Sequence, residues 1–143
     1  MAKMSQDIGK FLVVFLGLVY FSACTRTVTM SNASQNYGGL FSAILEDENV
    51  SMYIHAELKD RIPIQVVTND LIKERLEGAA YGAEIQFDPQ APKESAFYLK
   101  KLTKDGEVFL FELNYEIEGV KITGNAVESS GSWTVSNLLV TES

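Results

Sequence analysis

The sequence predicts an α+β fold in which short N-terminal helices pack on one face of a C-terminal four-stranded antiparallel meander. Apolar residues recur at helical spacing between Leu40 and Leu58, and from Ser95 onward the pattern changes to two-residue alternation. The alternating stretches are separated by Asp105-Gly106, Glu118-Gly119 and Ser130-Gly131, the dipeptides that hairpin turns favour. A sheet of that kind has one apolar face, and the helices are the material available to cover it. No internal repeat is present.

The first helical group is Leu40, Phe41, Ile44 and Leu45, and the second is Val50, Tyr53, Ile54 and Leu58, with Asn49 placed to cap it. Ile62 to Val67 is rich in β-branched residues, and Pro63 confines any strand there to an edge or to the strand's start. A further helix is expected next. Thr68 or Asn69 would cap it, Asp70 would sit at its positive end, and Leu71, Ile72, Arg75 and Leu76 would carry it to a stop near Gly78 or Gly82. Ala83 to Phe87 reads as a short strand. Asp88-Pro89-Gln90-Ala91-Pro92 reads as a loop, because prolines remove backbone donors and aspartate favours turns.

Four strands are expected beyond it: Ala96 to Leu102, Glu107 to Glu118, Val120 to Glu128 and Ser132 to Val140. In the second, Phe109, Phe111, Leu113, Tyr115 and Ile117 share one face, with Glu112, Asn114, Glu116 and Glu118 opposite. In the last, Trp133 and Val135 have one parity while Leu138 and Val140 have the other. A β-bulge near Ser136 or Asn137 reconciles them.

The N-terminus has a different character. Lys3 and Lys10, with Asp7 between them, precede an uncharged apolar run of 13 residues from Phe11 to Ala23. That is short of the roughly 20 residues a spanning helix needs, and it suits a signal peptide. The run ends in Phe21-Ser22-Ala23-Cys24, followed by polar Thr25-Arg26-Thr27. This order resembles the export signal of bacterial lipoproteins, although Phe21 stands where that family usually carries leucine or another aliphatic residue. The resemblance implies cleavage between Ala23 and Cys24, lipid on Cys24, and sorting to the outer membrane, because Thr25 occupies the place where aspartate would favour inner-membrane retention. An uncleaved N-terminal anchor and ordinary secretory cleavage, for which Phe21 is too large at Ala23 but Ser22-Ala23-Cys24 could serve, are the alternatives. The expected organisation is a signal peptide over 1–23, a lipidated cysteine and flexible tether over 24–39 closing on Gly38-Gly39, and one small domain over 40–143.

Cleavage removes Lys3, Lys10 and Asp7, so the 12 basic and 19 acidic residues fall to 10 and 18 and the net charge moves from −7 to about −8. Such a domain repels nucleic acid and anionic surfaces, and membrane residence then depends on the lipid, at about 0.8 kcal/mol per buried methylene. Cys24 is the single cysteine, so the domain folds on its hydrophobic core without a disulfide.

Residues suited to catalysis are scarce. His55 is the single histidine, which rules out a multi-histidine metal site, and no phosphate-cradling glycine pattern surrounds Gly119 or Gly124. Glu112, Glu116 and Glu118 would lie about 7 and 14 Å apart along a strand, within range of acid–base or cation chemistry. Glu112, Tyr115, Glu116 and His55 are therefore the candidate ligand-binding residues, on the concave face of the sheet. Neither a cofactor nor a metal is expected.

The run from Phe111 to Val140, with Glu118-Gly119, Gly124 and Gly131-Ser132-Trp133, also resembles the sheet end of membrane-tethered cytochrome oxidase assembly factors. The expectation is a lipid-anchored envelope protein, not an enzyme, that holds a protein partner. A small-ligand binder, an enzyme using the sheet face, or a factor of the oxidase-assembly kind is the alternative.

Overall fold

The computed structural model describes residues 35–142, and the signal-peptide and Cys24 expectations lie outside them. The fold is α+β. Two helices, α1 (Tyr37–Leu45) and α2 (Glu48–Ile54), precede eight strands: β1 (Gln65–Val67), β2 (Ala79–Ala80), β3 (Ala83–Glu84), β4 (Gln86–Phe87), β5 (Phe97–Asp105), β6 (Val108–Tyr115), β7 (Val120–Ser129) and β8 (Ser132–Glu142). The main sheet has six strands in the order β4-β1-β5-β6-β7-β8. It is mixed: β1 runs parallel to both β4 and β5, and the pairs from β5 to β8 are antiparallel. The expected sheet of four strands is thus too small. β1 and β4 are three and two residues long, and they join the sheet through parallel pairings that local sequence patterns do not reveal.

The helical spacing yields α1 with Leu40, Phe41, Ile44 and Leu45 fully buried. Asn36 caps it, its side chain accepting from Gly39 N–H at 3.1 Å. The helix starts before the expected boundary, so Gly38 and Gly39 occupy its first turn. The α2 cap is Asp47, not Asn49; its carboxylate accepts from Asn49 N–H at 2.9 Å and sits at the positive end of the helix. Leu58 lies beyond α2 and is exposed.

No helix forms between Thr68 and Gly78. Asn69 and Asp70 both adopt left-handed backbone, with φ of 52° and 57°, and two such residues in succession close a turn in which Leu71 N–H donates to Thr68 O at 3.1 Å. Ile72 is buried although the segment is irregular. The chain then enters the β2–β3 hairpin, whose turn residues Tyr81 and Gly82 both have positive φ, as a type I′ turn requires. The hairpin is tied to the end of α1: the Tyr81 hydroxyl donates to Leu45 O, and Ala79 N–H donates to Ser42 Oγ at 3.2 Å.

The strand alternation is realised in β6, where Phe109, Phe111, Leu113 and Tyr115 are buried and the residues between them are half-buried. They join the buried side chains of α1 and α2 in one core with Leu99, Ile122 and Ala126. The strand ends at Tyr115. A 3₁₀ turn over Glu116–Glu118 follows, closed by Gly119 at φ 62°, so Ile117 leaves the apolar face and is 43% exposed. In β8, Asn137 and Leu138 together oppose Gly124, between the pairs Ser136–Asn125 and Leu139–Thr123. This bulge, with Asn137 at φ 51°, lies where the change of parity called for it, and Val135, Leu138 and Val140 all pack against the core.

α1 approaches the 77–78 backbone closely. A Cβ on Gly38 would overlap the Glu77 carbonyl oxygen, and one on Gly78 would lie 2.8 Å from Gly38 O. Because backbone cannot yield as a side chain can, Gly38→Ala is expected to destabilise the domain by about 2 kcal/mol or more. Chemical denaturation against wild type checks this. An unchanged midpoint would show that α1 can move away from the loop at little cost.

Candidate functional site

The sequence nominates His55, Glu112, Tyr115 and Glu116, and the fold brings two of them together. Tyr115 ends β6 with its side chain inward, 3% exposed, and its ring stacks on Phe97 at 3.9 Å with 7° between the planes. Glu112 has the opposite parity on the same strand, paired with Lys101 on one side and Thr123 on the other. It therefore faces away from Tyr115 across the sheet. Glu116 is exposed in the 3₁₀ turn and shares no strand face with Glu112. The expected row of three carboxylates is absent because β6 stops before the second of them.

His55 and Tyr115 meet around two residues that were not nominated, Arg61 and Glu118. Arg61 Nη1 donates to the Tyr115 hydroxyl oxygen at 3.0 Å, and Nη2 lies 2.6 Å from Glu118 Oε1. His55, in left-handed backbone at the C-cap of α2, places Nε2 3.9 Å from Glu118 Oε2 and Nδ1 3.3 Å from Glu57 Oε1. Arg61 and Glu118 side chains are 14% and 22% exposed, whereas those of His55 and Glu57 are 40% and 71% exposed. The inner pair is therefore the stronger and the outer pair is screened by solvent. Arg61 is brought there by a 3₁₀ turn over Lys59–Arg61, and Glu118 by the turn after β6.

The electrostatics follow from this geometry. The bond to Tyr115, and secondarily that to Glu118, holds the Arg61 guanidinium charged more firmly than usual, against its burial. Burial raises the Tyr115 phenol above its ordinary value, and the Arg61 bond opposes that rise. Glu57 is held below its ordinary value, first by its own backbone N–H and then by His55. With Arg61 paired to Glu118 at 2.6 Å and bonded to the Tyr115 hydroxyl, the cluster neutralises a carboxylate and clamps the segment after α2 to the end of β6. Among the described residues, no group of three or more His, Cys, Asp or Glu is placed to hold a metal ion.

A groove elsewhere on the domain holds none of the nominated residues. It encloses about 620 Å³ beside β4, between that strand and the irregular 68–76 segment. Its floor is apolar, with Val66, Ile72 and Ile85 buried, and its rim is charged. Sequence reasoning missed it because a helix was expected where the chain forms an open wall.

Compared with protein-family models, with curated proteins and with solved structures, the chain matches none.

The raised Tyr115 pKa fixes a sign. The folded chain holds the phenolic proton more tightly than the unfolded chain, so the stability it contributes is full below about pH 10 and is lost as the pH rises above that value. Tyr37 and Tyr81 act in the same sense, each raised chiefly by burial. Urea midpoints measured from about pH 8 to about pH 11 are therefore expected to fall more steeply for wild type than for Tyr115→Phe. Parallel profiles would remove Tyr115 from the alkaline transition.

Proposed function

We propose that the chain is a lipid-anchored protein of a bacterial cell envelope, attached through Cys24 and facing the periplasm, whose folded domain is a non-catalytic module that holds a protein partner. The observation that carries this reading is the order of the N-terminal residues: Lys3 and Lys10, the 13-residue apolar run, then Ser22-Ala23-Cys24 and a polar segment. The described domain fits it: it buries Leu, Ile, Val and Phe in a core that needs no cysteine, which leaves Cys24 available for modification. Among the described residues no helix is long and apolar enough to cross a membrane.

A binding role is favoured over a catalytic one by where the reactive groups sit. His55 and Tyr115 are engaged with Glu118 and Arg61, while the groove is lined by other residues. With two or three acyl chains on Cys24, membrane attachment would be effectively permanent, and the domain could meet its partner in the aqueous space.

Intact-mass measurement on protein extracted from membranes tests the anchor. Wild type is expected to begin at Cys24 and to carry the added mass of its acyl chains, and Cys24→Ala is expected to retain the first 23 residues. An unmodified wild-type mass that still includes Met1 would overturn the lipid-anchored reading.

A further inference from the structure

We infer that the groove beside β4 takes an extended, basic peptide segment of the partner protein, laid against the Phe87 end of that strand's outer edge with an apolar side chain on the floor. This rests on the reading of the domain as a binding module but not on the lipid at Cys24.

The backbone supplies one half of the site. Gln86 N–H donates at 2.8 Å to Ile64 O on the β1 side, and among the described residues β4 is laddered to β1 alone, while on its outer side Ile85 N–H is already taken by Gly78 O at 2.8 Å. Strand geometry alternates these directions, so the next residue, Phe87, which lines the groove, presents its N–H and C=O to the outer edge beyond the Ile85–Gly78 bond. An added extended segment would bond there, as peptides do at other exposed sheet edges. Only two residues long and followed by Asp88-Pro89, β4 offers too little edge for backbone bonding to suffice. Side-chain contacts must then contribute most of the affinity.

The lining supplies the other half. Ile72 and Ile85 form the floor beside the half-buried ring of Phe87, and about 620 Å³ is a volume that an apolar side chain and its neighbours can occupy. The rim carries the carboxylates of Asp70, Glu74, Glu84 and Asp88, all exposed, against two cations, Lys73 and Arg75. Arg75 lies 3.5 Å from Glu77, which is outside the groove lining, so its charge is already partly matched. On a chain of net charge −7, the groove is locally negative as well, which favours lysine or arginine on either side of the apolar residue.

The test uses the full chain in detergent and two labelled hexapeptides, Lys-Val-Lys-Leu-Lys-Val and its counterpart with glutamate in place of lysine. Saturable anisotropy binding of the basic peptide is expected below about 1 mM, with amide shifts in the ¹⁵N spectrum centred on residues 70–76 and 84–89. The double charge reversal Glu84→Lys/Asp88→Lys lies on the exposed rim; it should weaken that binding roughly tenfold and allow the acidic peptide to bind instead. Methylating alternate amides of the basic peptide should also weaken it. Equal binding of both peptides by wild type, no saturation, an unchanged affinity in the reversed variant, or shifts centred away from β4 would each overturn the inference. None of these outcomes bears on the mass of the membrane-extracted protein, so the groove and the anchor fail separately.

Discussion

Everything in the domain depends on covering the inner face of the main sheet. That face presents Leu99, Phe111, Leu113, Tyr115 and Ile122, and the elements that close over it include helices of only nine and seven residues. Isolated helices of that length do not persist in water, where about 12 to 15 residues are marginal even for favourable sequences. α1 and α2 therefore exist because the sheet is there, and the sheet stays out of water because they are. The edge strand takes part in the same closure. Trp133 of β8 stacks on Tyr37 at 5.9 Å and donates from Nε1 at 2.6 Å to Asn36 O, at the cap of α1. A cap, an aromatic pair and a strand end thus meet at one point, and the helix start and the last hairpin constrain each other.

The charged cluster at the other end of β6 is a consequence of that closure. Tyr115 is drawn into the core by strand parity and by its stack on Phe97, which leaves its hydroxyl in a largely dry place that needs a donor. Arg61 supplies one, and Glu118 then supplies the charge that a half-buried guanidinium needs. Arg61 Nε is still buried without a partner among the described residues, so the guanidinium is satisfied on its outer nitrogens and not along its stem. Along Tyr115, Arg61 and Glu118, each polar group thus meets a need set by the one before it.

What could be read from the sequence was what neighbouring residues decide. The apolar face of α1, the alternation through β6 and the change of parity in β8 all rest on spacings of two to four residues, and each is realised. The 68–78 segment was misleading because Leu71, Ile72 and Leu76 have helical spacing, while the left-handed backbone at Asn69 and Asp70 decides otherwise. Pairings between distant segments were equally hidden: β1 meets β4 across about twenty residues, and Arg61 meets Tyr115 at a separation of 54. Of the nominated site residues, His55 and Tyr115 converge. Glu112 and Glu116 do not, since the strand assumed to align them ends one residue before Glu116.

The bulge at Asn137 and Leu138 makes the reading frame of β8 dependent on its length. On one side of it Val135 points inward, and on the other Leu138 and Val140 do. Loss or gain of a single residue elsewhere in β8 would turn the side chains beyond it to the wrong face, and a second, compensating change would be needed to restore them. At the bulge itself, Gly124 opposite leaves no spare room: a Cβ there would lie 2.7 Å from Phe111 Cζ and 3.3 Å from Leu138 Cα. Among descendants of this chain, length variation is thus tolerable in the turns but not within the last strand, so the C-terminal eleven-residue strand should diverge by substitution while its residue count stays fixed.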